Sequence, residues 1–120
     1  MKVNWITFMV KDINESKKFY ERFLGLKLAR EFSPNEMMKI AFYKANSGSE
    51  IELIETKGSG ETTETNGRVS LGISVDNYDE LLQKARDLKI ITQEPHLLGE
   101  MECFFVTDPD GIGIQLIKEV

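Results

Sequence analysis

The chain contains one cysteine, Cys103, in 120 residues. A single thiol forms no internal disulfide, which excludes a disulfide-stapled secreted scaffold and fits a reducing compartment. The apolar neighbours of Cys103 predict a packed thiol in place of a nucleophile. No run approaches the ~18 consecutive apolar residues of a membrane span. Basic charge is also scarce. Fifteen Lys and Arg face twenty Asp and Glu, for a net charge of −5 and a pI near 4.9. That balance argues against nucleic acid or an anionic membrane surface as partner, while a cationic small molecule is tolerated. The opening "MKVNWITFMVKD" has neither the unbroken apolar stretch nor the small-residue cleavage site of a secretory signal, so a cytoplasmic location is expected.

What is present is a repeated plan. "VNWITFMV" alternates as a strand, and "NESKKFYERFLGL" switches to helical spacing, with Gly25 placed to end the helix. Strand-like runs follow at "LKLAREF", "MMKIAFYK" and "EIELIET", separated by turn formers. After "KGSGETTETNG", which carries nothing large and apolar, the plan starts again. "RVSLGISV" reads as a strand, and Asp76 or Asn77 as the cap of a helix through "YDELLQKARDLK". "IITQE", "ECFFVT" and "GIQLIK" then read as strands, the last two joined by a turn at Asp108-Pro109-Asp110-Gly111. The expected organisation is a single α+β domain over 1–120, made of βαβββ repeats at 1–56 and 68–118 joined by a linker at 57–67. The repeats are expected to form a curved, eight-stranded, mixed but mostly antiparallel sheet with both helices on its outer face.

Successive side chains on a strand point to opposite faces, so parity assigns them. Ile6, Phe8 and Val10, like Val69, Leu71, Ile73 and Val75, form bulky sets expected beneath a helix. Trp5, Thr7 and Met9, with Ser70, Gly72 and Ser74, are left for the opposite, concave face. Parity adds Gln115 from the last strand and Glu52 from "EIELIET". The predicted ligand-binding set is Trp5, Thr7, Glu52, Ser70, Gly72 and Gln115: one large aromatic, one charge and several small hydrogen-bonding groups.

With "VKDINESKKFYERFLGLKL", "ISVDNYDEL" and "FFVTDPDGIGIQLI" in this order, essentially the whole chain resembles the glyoxalase, bleomycin-resistance and extradiol-dioxygenase superfamily, the vicinal oxygen chelate fold. The resemblance implies a homodimer, and in the metal-dependent members a ligand on each of the first, fourth, fifth and eighth strands. Those positions match Trp5, Glu52, Ser70 and Gln115. Only Glu52 is a good ligand there: indole offers no lone pair, serine oxygen is a poor donor while protonated, and a neutral amide compensates no charge. The sole histidine, His96, falls in a loop or strand margin after Pro95 and does not restore the set. No metal and no cofactor are therefore expected.

The expected function is metal-independent binding of a small molecule, with sequestration of an antibiotic or of an aromatic or cationic metabolite as its form. Trp5 suits stacking and Glu52 attracts positive charge. The alternative is a glyoxalase-like lyase, isomerase or dioxygenase in which Glu52 serves as base or residual ligand, with Gln115 or Ser70 holding an oxygen. A third possibility is a regulatory surface. The spacing in "NESKK" and "ERFLG" reads as a solvated helix face and its buried opposite, which gives no docking motif.

Overall fold

The computed structural model describes residues 1–46, 48–58 and 67–119. The chain divides into two compact units, Met1–Thr63 and Glu64–Val120, and each holds one βαβββ repeat. The linker expected at 57–67 lies outside the described residues except for Lys57, Gly58 and Gly67.

In the first unit, β1 (Trp5–Met9) leads through Asp12 into α1 (Ile13–Lys17). The Asp12 carboxylate accepts hydrogen bonds from the backbone N–H of Asn14 at 2.9 Å and of Glu15 at 3.4 Å, satisfying donors that a helix start leaves open. The regular helix expected across "NESKKFYERFLGL" is corrected here. It begins at Ile13, and from Lys18 to Phe23 it widens into a π-helical segment in which Leu24 N–H reaches back five residues to Phe19 C=O at 3.0 Å. Three aromatic rings explain the packing of that segment. Tyr20 lies against Phe8 and Tyr43, Phe19 stacks on Phe23, and all five are buried. Gly25, at φ 75°, ends the helix in the left-handed region.

Strands β2 (Lys27–Phe32), β3 (Met38–Lys44) and β4 (Glu50–Thr56) complete a sheet of order β1-β4-β3-β2, with β1 and β4 parallel and the other pairs antiparallel. Phe8, Val10, Ala41, Tyr43, Ile51 and Leu53 are buried beneath the helix. Of these, each of Phe8, Val10, Ile51 and Leu53 contributes about 1.5–3 kcal/mol.

The second unit follows the same topology with β5 (Ser70–Val75), α2 (Tyr78–Leu88), β6 (Ile91–Leu98), β7 (Met101–Thr107) and β8 (Gly113–Lys118), in order β5-β8-β7-β6. The eight expected strands are thus present as two four-stranded mixed sheets, one per repeat. Asn77 occupies the cap position of α2 but makes no side-chain capping bond. The helix closes at Lys89, which takes a left-handed conformation at φ 56° while its N–H and that of Ile90 bond to Arg86 and Ala85 carbonyls. The β7–β8 turn is held by Asp108, whose buried carboxylate accepts from the N–H of Asp110 at 2.9 Å and of Ile112 at 2.8 Å.

Strand β6 corrects the placement of His96. The run extends past "IITQE" to Leu98 and takes in both Pro95 and His96. Its register slips between Ile91 and Gln93 and again between Gln93 and His96, which lets an edge strand carry a proline that donates no ladder bond.

Candidate functional site

Strand parity leaves one face of the first sheet uncovered by its helix. β1 presents Trp5, Thr7 and Met9 there, and β4 presents Glu50, Glu52 and Ile54. The parallel register sets Trp5 beside Glu50 and Thr7 beside Glu52. The Thr7 hydroxyl donates to Glu52 Oε1 at 2.5 Å, a charge-assisted bond that fixes one carboxylate oxygen. Trp5 is 47% exposed, and its indole meets Phe42 edge to face at 5.4 Å between centroids.

Three residues that sequence reasoning missed complete this face. Phe42 pairs with Glu52 across β3 and β4 and with Arg30 across β2 and β3. The Arg30 guanidinium lies 3.8 Å from the centre of the Phe42 ring and grips Glu50 with both nitrogens, at 2.8 and 3.3 Å. Glu50 is thereby neutralised. Glu52, held by a neutral hydroxyl, keeps its negative charge available. Parity in "MMKIAFYK" marks Phe42 as facing away from Ala41 and Tyr43, but the irregularity between Leu28 and Arg30 that turns Arg30 onto this face leaves no trace in composition.

The corresponding face of the second sheet carries Ser70, Gly72 and Ser74 from β5, and Gly113, Gln115 and Ile117 from β8. The register sets Ser70 beside Gly113 and Gly72 beside Gln115. A methyl group built on Gly72 would lie 3.5 Å from Gln115 Oε1, so the missing side chain leaves that oxygen uncovered from this side. Gln115 Nε2 donates to Cys103 Sγ at 3.3 Å, and Cys103 Sγ lies 3.6 Å from His96 Nε2. The reading of Cys103 as a packed thiol agrees with its complete burial. Its placement beside the only histidine was not legible, because the two irregularities of β6 set which residue of that strand faces it.

The structure thus brings Trp5, Thr7 and Glu52 together on one sheet, and Ser70, Gly72 and Gln115 together on the other. The four positions at which the resembling metal enzymes hold their ion do not fit a divalent cation. The Trp5 indole has no lone pair to give, Ser70 offers a neutral hydroxyl, the Gln115 amide is neutral and compensates no charge, and Glu52 supplies the one anionic donor. Among the described residues no three His, Cys, Asp or Glu side chains cluster as a metal centre would require.

Residues 2–116 match the model of the Glyoxalase/Bleomycin resistance protein/Dioxygenase superfamily. The chain is 33% identical over 117 residues to a lactoylglutathione lyase of Escherichia coli O157:H7, covering 92% of this chain and 87% of that protein. It is 30% identical over 115 residues to the uncharacterized protein YwbC of Bacillus subtilis, covering 92% and 91%. Among solved structures, a trypanothione-dependent glyoxalase I from Leishmania major aligns with a TM-score of 0.82 at 26% identity over 99% of this chain and 87% of that one. A glyoxalase I variant from Zea mays aligns with a TM-score of 0.85 at 26% identity over 99% of this chain, which spans 46% of the maize chain, about half its length.

Proposed function

Because the chain belongs to the glyoxalase, bleomycin resistance protein and dioxygenase superfamily, we propose that it uses the family's fold to bind a small organic molecule without the family's divalent ion. The observation that carries this reading is the indole of Trp5, half exposed and braced by Phe42, standing where a lone-pair donor is required for metal. An exposed, edge-supported indole supplies a flat apolar surface, and the adjacent Glu52 carboxylate supplies negative charge. A planar aromatic or cationic compound satisfies both. An antibiotic or a metabolite of that description is sequestered, not transformed. The same proposal places the protein in the cytoplasm, consistent with its lone unpaired cysteine, and pairs two copies as a homodimer.

The test exploits Trp5 being the only tryptophan. A panel of cationic antibiotics and aromatic metabolites is screened by thermal shift, since a compound binding only the folded state raises Tm. Hits are then titrated by indole fluorescence. A compound that shifts Tm and quenches Trp5, with both effects lost in Trp5→Ala, supports the reading; a panel that leaves both signals unmoved overturns it.

The relationship to lactoylglutathione lyases favours a second reading, a metal-free lyase or isomerase with Glu52 as general base. Turnover of a bound compound, abolished in Glu52→Gln with binding retained, would replace sequestration by catalysis.

A further inference from the structure

We infer that Glu94, His96 and Cys103 form a hydrogen-bond relay that fixes the orientation of the Gln115 amide, so that the second repeat presents a carbonyl oxygen to ligands carrying an N–H or O–H donor. The direction of each bond follows from the chemistry of its partners. The Glu94 backbone carbonyl only accepts, and it lies 2.7 Å from His96 Nδ1, so Nδ1 bears the proton. The opposite tautomer would set two lone pairs against each other at that distance. In the uncharged ring a proton on Nδ1 leaves Nε2 bare, and the group facing Nε2 at 3.6 Å is the Cys103 thiol, which then donates. The distance suits a sulfur donor, whose radius exceeds that of oxygen.

A thiol whose hydrogen is spent on His96 turns only lone pairs toward its other neighbour. That neighbour is the Gln115 side-chain amide. Were Oε1 to face the sulfur, acceptor would meet acceptor; the structure has Nε2 there instead, donating at 3.3 Å. Gln115 Oε1 is then directed away from the relay and toward Gly72, whose missing side chain leaves it uncovered on that side. Phe105 flanks the imidazole on one side, its ring nearly parallel to that of His96 with 6.3 Å between centroids. Complete burial of Cys103 keeps water from competing for the sulfur.

The topology gives this device a counterpart. β1 and β4 stand to each other as β5 and β8 do, so Thr7 and Glu52 in the first repeat correspond in register to Gly72 and Gln115 in the second. Both repeats offer an oxygen acceptor at the same strand position. One is anionic and held by a neighbouring hydroxyl, the other neutral and held by the relay. His96 and Cys103 are positioning residues that act through Gln115. A ligand bearing only acceptors gains nothing from Oε1 and meets lone-pair repulsion. The preference for donors rests on the binding reading above, whereas the relay does not.

Long-range ¹H–¹⁵N correlation spectra of the ligand-free protein test the relay directly. The expected result is a protonated His96 Nδ1, a bare Nε2, and a Gln115 side-chain amide with two well-separated proton shifts. Cys103→Ser, which still donates and accepts, preserves this signature, and Cys103→Val, similar in volume but without either capacity, moves the sulfur-facing Gln115 amide proton back toward its unbonded shift. A proton on Nε2 with Nδ1 bare, or an unchanged Gln115 amide in Cys103→Val, would overturn the relay. Ligand class is read with two probes of the same shape, benzamidinium and benzoate, titrated while the Gln115 amide resonances are followed. Benzamidinium should perturb them and benzoate should not, and Gln115→Leu should weaken benzamidinium about five- to tenfold. Equal responses, or none to either probe, sink the donor preference even where the tautomer stands. Failure of the Trp5 reading shows separately, as an indole that no compound quenches.

Discussion

Thr7 donates its hydroxyl hydrogen to Glu52 across a parallel strand pair, joining residues 45 positions apart in sequence at 2.5 Å. The bond lies on the exposed side of the sheet, where solvent competes with it and its net worth is small. Thr7→Val keeps the β-branched shape and removes the donor. In urea unfolding, Thr7→Val and Glu52→Gln combined in a double-mutant cycle should show a coupling of about 0.5–1.5 kcal/mol. A coupling near zero would mean that Thr7 does not hold the carboxylate.

The donor chemistry of the family's metal positions leads to a second expectation. After chelation and refilling with nickel, zinc, cobalt, manganese or iron, elemental analysis should find no retained divalent ion in the native chain. Retention by the native chain would remove the chemical basis for a metal-free reading.

Much of the architecture was legible from the residues, and the particulars show why. Alternation separated Phe8 and Val10 from Trp5 and Met9, and the structure buries the first pair and exposes the second, because a two-residue period leaves a side chain only two faces to choose from. The "EIELIET" run became β4 with the bounds expected. Parity fails where the ladder is irregular. Arg30 on β2 and His96 on β6 both follow register slips, and each slip moves a side chain to a face that counting along the chain does not assign. The π-helical segment was hidden for a related reason. The aromatic spacing over Phe19, Tyr20 and Phe23 reads as an ordinary helix, and the wider winding is set by ring packing against Phe8 and Tyr43 from distant strands.

Lys89 provides a stability test. It is the one described residue other than glycine with positive φ, at 56°, at a position where glycine carries no steric penalty from Cβ. Lys89→Gly relieves that strain while adding freedom to the unfolded chain, so the net gain should be modest, about 0.5–1 kcal/mol by chemical denaturation. A loss of stability would show that the lysine side chain contributes more than its backbone costs.

Asp108 tests the turn that delivers β8, and with it Gln115. Its buried carboxylate accepts two backbone N–H groups. Asp108→Ala leaves those donors unmatched and should cost about 2–4 kcal/mol in urea unfolding, with Asp108→Asn recovering part of the loss because its amide oxygen still accepts. Equal stability of the alanine and native chains would remove this carboxylate from the account of the turn.

The alkaline limb of stability should report Tyr78. Burial, reinforced by the Glu102 carboxylate, pushes its hydroxyl up to about 12 from an ordinary value of 10.0. A group that holds its proton more tightly in the folded state contributes stability that is fully present below its unfolded value and is lost as pH rises through the folded one. Between pH 10 and about 12 the unfolded chain sheds this proton while the folded chain keeps it, so stability falls across that window. Tyr43, also raised by burial and by its hydrogen bond to Glu21, extends the decline further up the scale. Tyr78→Phe removes one ionising group, and its stability, followed by far-UV circular dichroism in urea at successive pH values, should decline less steeply than that of the native chain from pH 10 upward. Parallel declines in the two proteins would show that Tyr78 ionises as readily when folded as when unfolded.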